Sequence, residues 1–295
     1  MKRFALGCCL LVLVPLAGVC VQEGAKPPAS APTDPKAEAW TILYNGVGNS
    51  SYEKRAKAVQ VLGLIKDDAE AEKLAVKALG DERPEVRAAA AAALGDIGTK
   101  SAAPELYKIF HDTDITVIMA AARSLLDLGD NRGYNVYYAI LTGETKTGTG
   151  LLDQQKKMLK DPQKLAQFGF EQGIGFIPFA GIGWSAIKMI RKDDTSPILA
   201  ASAITLAADP DPKSGDALVN AAEGQKSWIV RAAALNAIAK RGDPKLNKAA
   251  EEGLQDEKEE VQYSAAATVI RLTNIAEHPA AERKPAKRPA PRKKG

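Results

Sequence analysis

The side chains that do most covalent and metal chemistry are scarce in this chain. Its three cysteines, Cys8, Cys9 and Cys20, all fall in the first twenty residues, and its two histidines, His111 and His278, lie far apart. A zinc site needs several ligands and a cysteine nucleophile needs a partner base, so both are nearly excluded beyond the leader. His111 precedes Asp112 at an expected helix end, where capping or polar packing is its role, and His278 opens a proline-rich tail with no scaffold around it. Four carboxylate pairs (Asp67-Asp68, Asp193-Asp194, Glu251-Glu252, Glu259-Glu260) could do acid–base work only if burial drove their pKa values apart. Each sits at an expected helix end or on a solvated face. Gly181-Ile182-Gly183-Trp184-Ser185-Ala186 has the glycine spelling of a dinucleotide loop, but that motif works between a strand and a helix, and alanine-rich helix follows here. No Gly-x-Ser-x-Gly elbow or phosphate-binding loop appears. The expectation is a protein that is not an enzyme, with no cofactor, no metal and no small-molecule substrate.

What remains is a set of arginines and aspartates at regular spacing. Asp81-Glu82-Arg83-Pro84-Glu85-Val86-Arg87 runs into an alanine stretch that closes Leu94-Gly95-Asp96-Ile97-Gly98, and the shape recurs from Asp112, Ser227 and Glu260. The position of Arg87 recurs at 55, 118, 199, 231 and 262, so successive markers lie 32, 31, 81, 32 and 31 residues apart. A period of 31–32 accommodates two short helices and two turns. After each marker Ala, Leu and Val recur at helical spacing, giving one narrow apolar face that only a stacked neighbour can cover. Asp81 and Asp112 are suited to capping the next helix, Pro84 fits a first turn, and Gly98, Gly129 and Gly242 stand where the chain leaves a helix.

These residues resemble HEAT repeats, in particular the short bacterial kind seen in phycobilisome-lyase-like proteins, over roughly residues 50–130 and 195–275. The resemblance implies an all-α fold, an α-solenoid of HEAT-like helical hairpins. It also implies an inter-repeat polar ladder that includes Asp81 with Arg87, and Arg231 with a turn carboxylate. Ile118, Leu199 and Gln262 at other marker positions would interrupt that ladder. It carries no bilin chemistry with it, and this chain lacks the His-Glu dipeptides of the iron-dependent HEAT hydroxylases.

The 81-residue gap is where the chain changes character. Arg132 to Leu141 is dense in tyrosine, and residues 165–190 hold five glycines, four phenylalanines and a tryptophan in a chain only 5% aromatic. Three readings stay open for this Gly/Phe-rich hydrophobic insert: a buried hairpin plugging the solenoid between its halves, a membrane-contacting loop with Phe176, Phe179 and Trp184 against lipid, or a flap over a peptide-binding face.

Charge is unevenly distributed. From Glu277 to Gly295 seven Lys or Arg stand against two Glu, so the tail carries +5, and with Lys2 and Arg3 set aside residues 21–276 carry −3. Lys2-Arg3 followed by the uncharged apolar run Phe4 to Val21 has the order of an export signal. A lipidated Cys20 and an uncleaved N-terminal anchor are its rivals. The expected division is a signal peptide over 1–20, a Pro/Ala-rich linker over 21–39 and N-terminal repeats over 40–141. A degenerate repeat with the insert then fills 142–194, C-terminal repeats 195–276, and a basic disordered tail 277–295. The expected function is that of an exported, periplasmic or extracellular, scaffold for protein–protein interaction in the cell envelope, with a protein or peptide on its concave face near Arg123, Tyr134, Tyr137, Tyr138 and Asn236. An anionic envelope surface is a further partner for the tail, and no nucleic acid is expected. The competing function is a peripheral membrane protein that uses residues 168–190 and the tail on lipid.

Overall fold

A computed structural model describes residues 34–142 and 195–279. In the first stretch lie α1 (Pro35–Val47), α2 (Tyr52–Leu62), α3 (Ala69–Ala78), α4 (Pro84–Ile97), α5 (Ala103–Lys108), α6 (Ile115–Asp127) and α7 (Gly133–Thr142). The second holds α8 (Ser196–Leu206), α9 (Pro212–Gly224), α10 (Trp228–Arg241), α11 (Asn247–Gly253) and α12 (Glu259–Glu277). Among the described residues every regular element is helical.

Local chemistry sets the helix ends. Asp34, Ser51, Asp68, Asp114 and Asp211 accept backbone N–H bonds at the starts of α1, α2, α3, α6 and α9, and proline occupies the first turn of α1, α4, α8 and α9. Gly98 and Gly242, which end α4 and α10, and Gly129 after α6 all have positive φ (91°, 68° and 82°), which a side chain would strain. Alanine then decides how near the helices come. α4 buries Ala88, Ala90, Ala91 and Ala93 along with Val86, Leu94 and Ile97, so neighbouring backbones approach closely with little side-chain entropy lost.

The helices form two layers, and their spatial order differs from chain order. One layer runs α8, α10, α12, α2, α4, α6, each packed on the next, with α9, α11, α1, α3 and α5 behind it and α7 against α6. The C-terminal repeats therefore precede the N-terminal ones in space, and the two ends of the described chain meet in the middle of the array. Here α1 lies over the seam between α12 and α2.

Specific contacts fix that seam. The Tyr263 ring, 3% exposed, lies against Gly46 of α1, where an added Cβ would stand 2.7 Å from both Tyr263 Cε1 and Ala58 Cβ. Lys36 Nζ donates to Glu277 Oε2 at 2.6 Å, Lys54 Nζ to Glu259 Oε1 at 2.9 Å, and Gln255 Nε2 to Glu38 Oε1 at 2.5 Å. The same hydrophobic core runs through both halves without a break. The two sets of repeats thus pack directly on each other, and α7 and α8, between which residues 143–194 fall in sequence, stand at opposite ends of the array among the described residues. Residues 143–194, with the candidates Phe176, Phe179 and Trp184, lie outside the described residues, as do residues 1–33 and 280–295.

Candidate functional site

Two sets of polar side chains run across the array. The first is a ladder of arginines on the inner helices. Arg55 donates to both oxygens of Asp81 (2.8 and 2.9 Å), Arg87 to both of Asp112 (2.7 and 2.8 Å), and Arg231 to both of Asp256 (2.7 and 2.8 Å). Each guanidinium also gives its remaining edge to two backbone carbonyls in the turn before its own helix: Asn49 and Ser50, Asp81 and Glu82, Gln225 and Lys226. A planar fork with fixed donors suits this four-way clasp, and lysine could not reproduce it. The three arginine side chains are only 10–15% exposed.

The aspartates of the ladder do not cap the following helix directly. Asp81, Asp112 and Asp256 each accept the N–H two residues on, at Arg83, Asp114 and Lys258. They thereby close a short turn while their oxygens hold the preceding arginine. Asp81 therefore meets Arg87 through its carbonyl and Arg55 through its carboxylate. The Arg55 hydrogen bonds hold the Asp81 carboxyl below the usual carboxylate range, against the opposing effect of burial. For Asp256, burial pushes upward most strongly, but Arg231 and the Lys258 N–H together outweigh it and the net shift is down.

At the other marker positions the clasp is reduced or absent. Gln262 keeps one bond, to the Asp256 carbonyl at 2.6 Å, while Ile118 is buried and Leu199 is exposed. Across the seam, where no marker arginine is available, Glu259 takes over with Lys54, Asn49 and the Tyr263 hydroxyl.

The second set lies toward the C-terminal ends of the inner helices. Nine residues after a marker stand Asp96 on α4, Asp127 on α6, Lys240 on α10 and Arg271 on α12, and Lys66 joins them just beyond α2. Arg271 Nε donates to the Ala239 carbonyl at 2.9 Å, beside Lys240, and Asn274, one turn further along α12, donates to Asp68 Oδ2 at 3.0 Å, beside Lys66. The Lys66 ammonium donates to the Asp96 carbonyl. Along the array the strip therefore reads Lys240, Arg271, Lys66, Asp96, Asp127.

Partial burial shifts two charges of this strip. It pushes Lys66 down, helped by the charges of Arg271 and Lys240 and opposed by Asp96 and Asp67. It pushes Asp96 up, opposed by Lys66, Lys240 and Arg123 and assisted by Asp127. Both side chains still reach solvent.

Of the residues singled out from sequence, Arg123 and Tyr137 fall together here. Arg123 pairs with Asp127 on the same helix (Nε to Oδ2, 3.4 Å), and half-buried Tyr137 has its pKa raised, chiefly by burial, with Arg123 lowering it and Asp127 raising it. Tyr134 and Tyr138 project to solvent on α7, 60% and 70% exposed. Asn236 occupies the equivalent of the Arg123 position on α10, one turn before Lys240, and its Oδ1 is buried without a hydrogen-bond partner. Arg123 and Asn236 thus share a register but stand several helices apart. His111 is exposed and ends a 3-10 turn (Ile109–His111) whose Ile109 and Phe110 are half-buried against the core. Among the described residues no group of three or more His, Cys, Asp or Glu is placed to hold a metal ion, and no helix is long and apolar enough to cross a membrane.

A family model for HEAT repeats matches residues 42–126 and 185–272. Among solved structures, the chain is similar to the complex of CpcE and CpcF of phycocyanin lyase from Nostoc sp. PCC7120, at 20% identity over 86% of this chain and 98% of that one, with a TM-score of 0.33. It is also similar to human deoxyhypusine hydroxylase in complex with glycerol, at 18% identity over 81% of this chain and 85% of that one, with a TM-score of 0.29. A designed armadillo repeat protein matches at 17% identity over 81% of this chain and 100% of that one, with a TM-score of 0.24. These likenesses concern fold alone. No curated protein matches the chain.

Proposed function

The chain belongs to the HEAT-repeat family, and from that premise we propose that it is a non-catalytic scaffold, exported to the cell envelope, that holds a protein partner along the inner layer of its solenoid. The observation that carries this reading is the single stacked layer of helices from α10 to α6, built from both halves of the chain, with charged side chains at a shared register along it. A stacked array gives such a surface length, and the Arg–Asp ladder in the turns before the same helices gives rigidity, so a partner meets side chains already held in place. Many weak contacts on a preorganised surface are how repeat proteins reach useful affinity without a deep pocket.

The test is recovery of a binding partner from envelope extract with the full chain, set against a variant carrying D96K and D127K. A partner retained by the parent and lost by the variant is the expected outcome. A set of proteins recovered equally with both, or with the isolated tail, would defeat it. Export is checked separately by the N-terminal sequence of the mature protein and by its accessibility to added protease in cells with an opened outer layer. Contact with lipid through residues 168–190 and the tail is the second reading. It is addressed by vesicle flotation, in which replacing Phe176, Phe179 and Trp184 by Ser abolishes binding if those side chains enter the bilayer.

A further inference from the structure

The helix at one end of the inner layer has the composition of a covered helix. From Thr195 to Ala208 there is no charged residue, so α8 is uncharged on every side. It packs on α10 and α9, yet buries only Ala200 and Ala203. Ile198 and Leu199 stand 66% and 40% exposed. Ser202 and Thr205, also exposed, donate their hydroxyls to the Ile198 and Ala201 carbonyls at 2.8 and 3.0 Å, so their polar groups are already satisfied within the helix. The result is a face with little to offer water and apolar surface to bury. The repeat pattern points to what lies next to it. Each of the other inner helices, α2, α4, α6, α10 and α12, follows an outer helix that packs against it, across a connection of three to six residues. Among the described residues α8 follows none. The same connection before Ser196 would end a sixth outer member at residues 189–192, and the HEAT-repeat match begins again at residue 185. Trp184, Ile187 and Ile190 recur there every three residues.

We propose that residues 180–191 of the same chain dock on the exposed face of α8 and bring Trp184, Ile187 and Ile190 against Ile198 and Leu199. The helix thereby gains the outer partner that every other inner helix has. The occupant is the chain itself because the segment is tethered. Ile190 lies six residues before Ser196, and a linker that short holds its segment at an effective concentration on the order of millimolar. A second copy or a separate protein would first have to give up its translational and rotational freedom. Terminal repeats of a solenoid need their apolar face covered to stay soluble, and this docking closes one end of the array. The aromatic insert then covers an end of the solenoid rather than plugging a junction between its halves, which pack directly on each other.

Fluorescence of Trp184 tests this. The chain has three tryptophans, so W40F/W228F leaves Trp184 as the sole one in the full-length protein. In that background Trp184 should emit at short wavelength and resist quenching by acrylamide, to the same degree at every protein concentration. Adding I198D places a carboxylate against the docked side chains, where the loss of its hydration is unfavourable. Emission should then move to longer wavelength and quenching should approach that of free tryptophan, while I198V leaves both unchanged. Ile198 makes an exposed part of α8, and a circular dichroism melt checks that the fold survives the change. Where the melt shows that it does not, S202D carries the same carboxylate one turn along and takes its place. A Trp184 that is exposed in the W40F/W228F background, or shielded but indifferent to the acidic variant, overturns the proposal. Shielding that appears only at high protein concentration, or only with anionic vesicles, also overturns it, in favour of a second copy or of lipid.

Discussion

Replacing Gly46 by alanine is a test of the seam that needs no partner. Gly46 and Gly224 each lie near the C-terminal end of a helix, and both have ordinary negative φ. An added methyl at Gly224 meets nothing within 4 Å. There the substitution stabilises by up to about 1 kcal/mol, through helix propensity alone. The same methyl at Gly46 lies 2.7 Å from Ala58 Cβ and 2.7 Å from Tyr263 Cε1. Carbon atoms are comfortable at about 3.5–4.0 Å, so something must move by close to 1 Å. Ala58 and Tyr263 are both buried, and α1 can relieve the overlap only by lifting from the seam between α12 and α2. Overpacking of this kind costs about 1–3 kcal/mol. The two variants, chemically identical, should therefore differ by that amount, or roughly 2–12 °C in midpoint for a unit of this size. Thermal melts followed at 222 nm by circular dichroism measure the difference. If G46A is as benign as G224A, α1 does not pack on α12 and the spatial order of the array is wrong.

Other consequences follow from the ladder. Arg87→Ala leaves the Asp112 carboxylate, 7% exposed, without its fork, and should cost about 3–5 kcal/mol in a urea or thermal melt. The double variant with Asp112→Ala should lose less than the sum of the two singles. The depressed carboxyls of Asp81 and Asp256 also fix the direction of an acid response. A carboxyl whose folded pKa lies below its unfolded value contributes stability above about pH 4 and loses it as pH falls through the folded value. The urea midpoint should hold steady near neutrality and drop below about pH 4, with a shallower drop in Asp256→Asn, which has one fewer such carboxyl.

Much of this fold is legible in the chain because each repeat repeats its own local chemistry. The alanine runs, the first-turn prolines and the left-handed glycines define where helices begin and end, and a period of 31–32 defines the unit. The order of the units in space is a different matter. It depends on which surfaces fit, and the fit at the seam comes from Gly46 against Tyr263 and from Lys54 with Glu259, residues more than 200 positions apart that share no repeat signature. The ladder was visible as Asp81, Arg87 and Arg231, but not its connectivity. Each guanidinium holds the carboxylate of the aspartate 25 or 26 residues ahead, and of the residue six behind, which is Asp81 for Arg87, it takes only the carbonyl. On the inner helices, Arg123 and Asn236 share one register, five residues after a marker. Asp96, Asp127, Lys240 and Arg271 were hidden because their register recurs while their charge does not. Their meaning arises only once Lys66 and Arg271 are neighbours.

That neighbourhood is open to direct measurement. A carbodiimide joins an amine to a carboxylate with no spacer, and Lys36 and Glu277 are 2.6 Å apart, Lys54 and Glu259 2.9 Å. Lys108 and Glu105, 2.7 Å apart within one helix, provide an internal control that does not depend on the seam. After brief treatment of the folded full-length protein and digestion, mass spectrometry should find the Lys36–Glu277 and Lys54–Glu259 peptides joined, within single monomeric chains, at yields comparable to Lys108–Glu105. If only the Lys108–Glu105 link forms, the ends of the described residues do not meet, and a continuous layer of helices built from both halves does not exist.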